Sequence, residues 1–93
     1  MIVKQTTCNA VKLSESGKAA ETGAEIYGVI LAAGSANATV VLDNSEDGTG
    51  TEKLKLAAVT ASSEVYAGSP ISFSAGCYAT LSGTDAEVTI IYK

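Results

Sequence analysis

The sequence predicts an all-β protein, a single small sandwich or barrel of about seven or eight short antiparallel strands. Three observations carry this reading. From residue 24 onward, short segments rich in Val, Ile, Leu, Thr and Tyr are separated by Gly, Asn, Asp and Ser clusters. These turn signals recur at intervals of roughly 8–12 residues, the spacing of an all-β sandwich or barrel. A length of 93 residues admits one small domain and no second one.

Residues 1–23 read as first strands or as an N-terminal arm ordered by contact with a neighbour, and residues 24–93 as the sandwich core. Within the first part, residues 2–7 and 10–13 could be short strands, and residues 17–22 also admit a short helix of about one and a half turns, marginal in isolation. Residues 25–33 follow with Ile26, Gly28, Ile30 and Ala32 on one face and Tyr27, Val29, Leu31 and Ala33 on the other. Both faces are apolar, which suits a central strand covered on both sides or one whose outer face meets another subunit. Gly34 and Ser35 turn the chain into a strand over residues 38–43, and residues 43–50 form an acidic loop. In residues 51–59, Leu54 and Leu56 alternate with Lys53 and Lys55, as in a half-solvated antiparallel strand. A weak strand over 62–66 is broken by Gly68, Ser69 and Pro70 before residues 71–74, where Ile71 and Phe73 share a face. Residues 77–82 alternate Ala79 and Leu81 with Tyr78 and Thr80, and a turn at 83–85 leads to residues 87–92, with Val88, Ile90 and Tyr92 on one face.

Composition narrows the function. Close to half of the residues are Ala, Gly, Ser or Thr, and His, Trp and Arg are absent, so the side chains are suited to packing more than to chemistry. A core built from aliphatic residues, four Tyr and one Phe is thin for this length. Oligomerisation or docking on a larger body is the expected remedy. A net charge of −4 with no basic cluster gives no electrostatic footprint for nucleic acid. The longest apolar run, residues 26–33, is far short of the ~20 residues of a membrane helix. Polar Gln5, Thr6, Thr7 and Asn9 stand where a signal peptide would need apolar residues, so synthesis in the cytoplasm is expected.

Candidate chemistry is sparse. Cys8 and Cys77 lack the paired cysteines or His partners of a zinc site and are expected to be reduced thiols in a cytoplasmically made protein. In the acidic loop, Asp43, Ser45 and Asp47 match the first, third and fifth positions of an EF-hand and Gly48 the sixth, but Leu54 occupies the twelfth, where a bidentate Glu is required. Gly48, Thr49, Gly50 and Lys53 do not meet phosphate-loop spacing. Nucleophilic Ser or Cys would have no His as base, and nothing in the spacing of Glu64, Asp85 and Glu87 favours a glycosidase carboxylate pair. No enzymatic activity, cofactor or metal is expected. The tyrosines, Tyr27 and Tyr92 among them, read as amphipathic residues at sheet edges or subunit contacts.

The run AEIYGVILAAGSANATVVLDNSEDGTGTEKLKLAAV, followed by PISFSAGCYATLSGTDAEVTIIYK, resembles small virion proteins of tailed bacteriophages. The shared layout is a Gly-Val/Ile strand, a Gly-Ser loop, a V-x-L-x-D-N strand, a Gly-Thr hairpin and a closing strand pair, and it covers residues 24–93. Cys77 stands where the pattern more often has Leu. The resemblance implies a jelly-roll-like β-sandwich that cements or decorates a capsid, with the major capsid protein as partner and the virion as location. It also implies a homo-oligomer on a symmetry axis, a trimer being favoured. A tail or head fibre component and a glycan- or surface-binding module are the alternatives. The expected docking residues are Ile2, Val3, Gln5 and Thr7 of the arm, with Tyr27 and Tyr92, and the tip at 43–50 could face solvent or a basic capsid patch.

Overall fold

The computed structural model describes residues 8–93, and among these it has eight strands and no helix. They are β1 (Asn9–Leu13), β2 (Gly17–Ala20), β3 (Ala24–Ala32), β4 (Ala38–Asn44), β5 (Thr51–Ala58), β6 (Ser63–Phe73), β7 (Cys77–Ser82) and β8 (Glu87–Tyr92). Two four-stranded antiparallel sheets pack as a sandwich, sheet A in the order β1-β8-β3-β6 and sheet B in the order β2-β7-β4-β5. The pairing is nested: β4 pairs with β5, β3 with β6, β2 with β7 and β1 with β8. Successive pairs fall in alternate sheets, and β3–β8 and β4–β7 contacts complete each sheet. This is a double-stranded ribbon with the β4–β5 hairpin at its tip, wound into an eight-stranded jelly roll.

Alternation along the strands supplies the core. Val40 and Leu42 of β4, Cys77 and Ala79 of β7, and Val88 and Ile90 of β8 point between the sheets. Phe73 is the one aromatic residue that is fully buried, and Ile26 and Leu31 are among the largest aliphatic side chains in the same core. Alanines at 19, 20, 24, 38, 58, 79 and 86 occupy the remaining buried positions. A core this rich in alanine leaves each of its few large side chains with a large share of the buried apolar area.

Three elements differ from the sequence expectation. Residues 17–20 form strand β2, and of the alternatives open for this stretch the short helix is not formed, because Ala19 and Ala20 join the core while β2 hydrogen-bonds along β7. The Gly68-Ser69-Pro70 break does not divide two strands. It lies inside the single strand β6, where pairing with β3 passes from Ile26–Ile71 to Gly28–Ala67 and leaves the segment as a bulge on the sheet edge. The Tyr66 hydroxyl donates to the Ser69 carbonyl at 2.6 Å and holds that bulge. On β3 the face assignment changes as well: a second register shift, against β8, reverses the alternation at Tyr27. Ile26, Val29 and Leu31 therefore all face the core, and Ile30 faces outward.

Asparagines close both ends of the sandwich. Asn44 accepts from the Ala75 amide at 2.8 Å and donates to the Ser74 hydroxyl at 3.4 Å, tying β4 to the β6–β7 turn. At the opposite end, Asn37 accepts from the Thr60 amide and hydroxyl at 2.9 and 3.1 Å. Gly83 turns β7 into β8 with φ of 120°, and a Cβ there would lie 2.7 Å from the Asn37 carbonyl oxygen. Phe73→Ala is expected to lower unfolding free energy by ~3–5 kcal/mol through the cavity it opens, a loss read as a shifted midpoint in urea denaturation.

Candidate functional site

The outward faces of the two sheets differ sharply in chemistry. Sheet B presents Lys18, Tyr78, Asp43 and Glu52 across one register row and Thr80, Val41 and Lys55 across the next. It is a charged surface, solvated at Lys18, Glu52 and Lys55, with the Asp43 carboxylate buried among its neighbours. On sheet A the register aligns Ala10, Ile91, Gly28 and Ala67 in one outward row and Lys12, Thr89, Ile30 and Val65 in the next. Lys12, the single charge in these two rows, is neutralised by Glu87 at 3.0 Å. Ile30 is 38% exposed and Val65 58% exposed. An uncharged sheet centre bordered by charged residues has the anatomy of a protein-binding patch.

The acidic loop lies at the end of the sandwich where the β2–β3, β4–β5 and β6–β7 turns meet. Its side chains are engaged locally. The Ser45 hydroxyl accepts from the Gly48 amide at 2.9 Å, and Asp47 accepts from the Thr49 hydroxyl and amide at 2.6 and 3.1 Å. Those bonds hold the Asp47 carboxyl below its ordinary range. Glu46 reaches away to accept from the Thr22 amide and hydroxyl at 3.1 and 3.3 Å. Gly76 permits this crossing, since a Cβ at that position would stand 2.5 Å from Glu46 Cγ. The loop carboxylates thus diverge to separate partners, and among the described residues no three His, Cys, Asp or Glu side chains converge in a metal-ligating group. A shallow cleft of about 180 Å³ nearby is lined by Thr22, Gly23, Ala24, Tyr92 and Lys93, together with Glu21.

The residues singled out in the sequence are dispersed. Ile2, Val3, Gln5 and Thr7 lie outside the described residues. Tyr27 sits half-buried at the β3 bulge, while Tyr92 packs against the core beside Ile26. Glu87 pairs with Lys12, Asp85 accepts from Ser35 at 3.5 Å, and Glu64 lies on the edge strand opposite Leu31. Cys8 and Cys77 are free thiols, Cys8 exposed ahead of β1 and Cys77 buried in β7. Missing from the sequence reading was the combined outer patch of sheet A, which is assembled from four strands distant in the chain. The apolar outer face of β3 was its only sequence signal. Comparisons with protein families, curated proteins and solved structures found no match for this chain.

Burial pushes the Cys77 thiol up from 9.0 to about 12, with the Asp43 charge adding to the shift. Because the folded value exceeds the unfolded one, stability is intact below about pH 9 and falls as pH rises toward 12, where unfolding releases the thiol proton. At neutral pH a thiol reagent is expected to modify Cys8 alone, with Cys77 reacting after denaturation. Cys77→Ala is expected to flatten the alkaline loss of stability, measured by urea titration at pH 8 and pH 11.

Proposed function

We propose that this chain is a structural protein of a tailed-phage virion, a decoration or cement protein that binds the head shell as a homo-oligomer. The observation that carries the reading, and its homo-oligomer in particular, is the outer face of sheet A, uncharged at its centre and exposing Ile30 and Val65. A surface of that kind binds another protein surface; a small polar ligand would need a concave site with converging donors. The sequence resemblance over residues 24–93 supplies the virion context, and the jelly-roll strand order is consistent with it. Contacts that are weak singly become strong when many identical subunits engage a repeating lattice, which suits a chain with a thin core. In this reading the major capsid protein is the partner and residues 1–7 contribute to docking.

The test is occupancy. Purified virions of the phage that encodes the chain are expected to contain it at a fixed stoichiometry to the major capsid protein by quantitative mass spectrometry. Particles from a deletion mutant should take up purified protein saturably in co-sedimentation. Removal of residues 1–7 should lower that uptake. Virions without the chain, and mutant particles that leave it in the supernatant, would overturn the reading.

A further inference from the structure

The outer face of sheet A is complementary to itself. Along β8 the outward residues run Glu87, Thr89, Ile91 and Lys93, alternating with core-facing Val88, Ile90 and Tyr92. A two-fold axis lying in the plane of the face, across the strands at the level of Ile90, exchanges the two central rows and sets one mixed-sign rim, Lys93 beside Glu25 through paired main-chain bonds, against the other, Glu87 with Lys12. Lys93 of one copy then stands over Glu87 of the other, at both ends of β8. On β3, protruding Ile30 meets the low point at Gly28, which has no side chain and over which Ile91 leans, its Cδ1 lying 3.6 Å from the place of a Cβ. On β6, Val65 meets Ala67, and on β1 the Lys12 stem meets Ala10. No charge faces its own kind in the two central rows.

The geometry points to a homodimer formed by stacking these faces about that two-fold axis, a surface whose occupant is a second copy of this chain. The proposal takes up the homo-oligomer of the reading above and assigns its interface. Three strands with four outward rows and β1 with two, ~4.8 Å apart, give a face of roughly 450 Å² per copy. The pair therefore buries about 900 Å², below the ~1,200–2,000 Å² of stable interfaces and in the range of a weak, concentration-dependent dimer. A sheet-stacking offset of about 30° shifts the rim by about 5 Å, within reach of a lysine side chain. An isologous two-fold differs from the trimer expected at the sequence level, which would require two distinct complementary surfaces.

Sedimentation equilibrium of the full chain tests this. Twice the monomer mass is expected at high micromolar concentration. Val65→Lys, at a site exposed enough to spare the core, should raise the dimer dissociation constant at least about tenfold with an unchanged circular dichroism spectrum. Glu87→Lys should weaken the dimer similarly, and adding Lys93→Glu should restore it, although the Lys12–Glu87 pair is lost in both variants. A monomer at every concentration, a dimer indifferent to Val65→Lys, or a charge reversal without rescue would each overturn the proposal. A monomer that still occupies virions removes the dimer and leaves the virion role, whereas a dimer absent from virions does the reverse.

Discussion

The nested antiparallel pairing is the constraint from which the rest of the molecule follows. One hairpin, β4–β5, begins the ribbon, and every later pair joins segments farther apart in sequence, ending with β1 against β8. The backbone hydrogen bonds of seven strands out of eight thus depend on partners outside their immediate hairpin. Closing such long loops costs entropy before the paired strands return any contact, so the ordering of the β1–β8 pair relies on the core that forms beneath it. The Asn44 and Asn37 side chains reinforce this arrangement by bonding between turns that the ribbon brings together.

Winding the ribbon also decides where chemistry is displayed. Each strand of a sandwich gives one side to the core and the other to solvent, so the two outer faces collect every side chain the core rejects. Sheet B collects Lys18, Asp43, Glu52 and Lys55, and sheet A collects Ile30, Val65, Ile91 and Ala67. The bulge at Tyr27 makes this division work on β3. By resetting the alternation it keeps Ile26, Val29 and Leu31 all inside and turns Ile30 out.

Much of the fold was legible in the sequence, and the exceptions have identifiable causes. Strands β7 and β8 obey strict alternation, with Val88 and Ile90 on one face, and β5 alternates from Leu54 onward, beyond the register shift at Lys53, so their reading needed no tertiary information. β3 has apolar residues on both sides, so its pattern held no mark of the phase reversal at Tyr27. The Gly68-Ser69-Pro70 segment signals an interruption of pairing, but the sequence does not distinguish a turn from an edge bulge, and the difference lies in the Tyr66–Ser69 hydrogen bond. β2 is four residues long, below the length at which any period can be recognised. The apolar patch was hidden for a different reason: Ala10, Ile91, Ile30 and Val65 become neighbours only through strand order, which composition and spacing do not encode.

The β1–β8 pair has a mechanical consequence. Asn9 lies opposite Tyr92, so the outer ends of the first and last strands emerge side by side at one end of the sandwich. Tension applied through those two ends would peel the strands apart like a zipper, loading one hydrogen bond at a time, where a shearing pull would load them all together. Such a fold is soft along the axis joining its ends and firm across its sheets. Force is borne more firmly through the broad sheet faces than through the outer ends of β1 and β8.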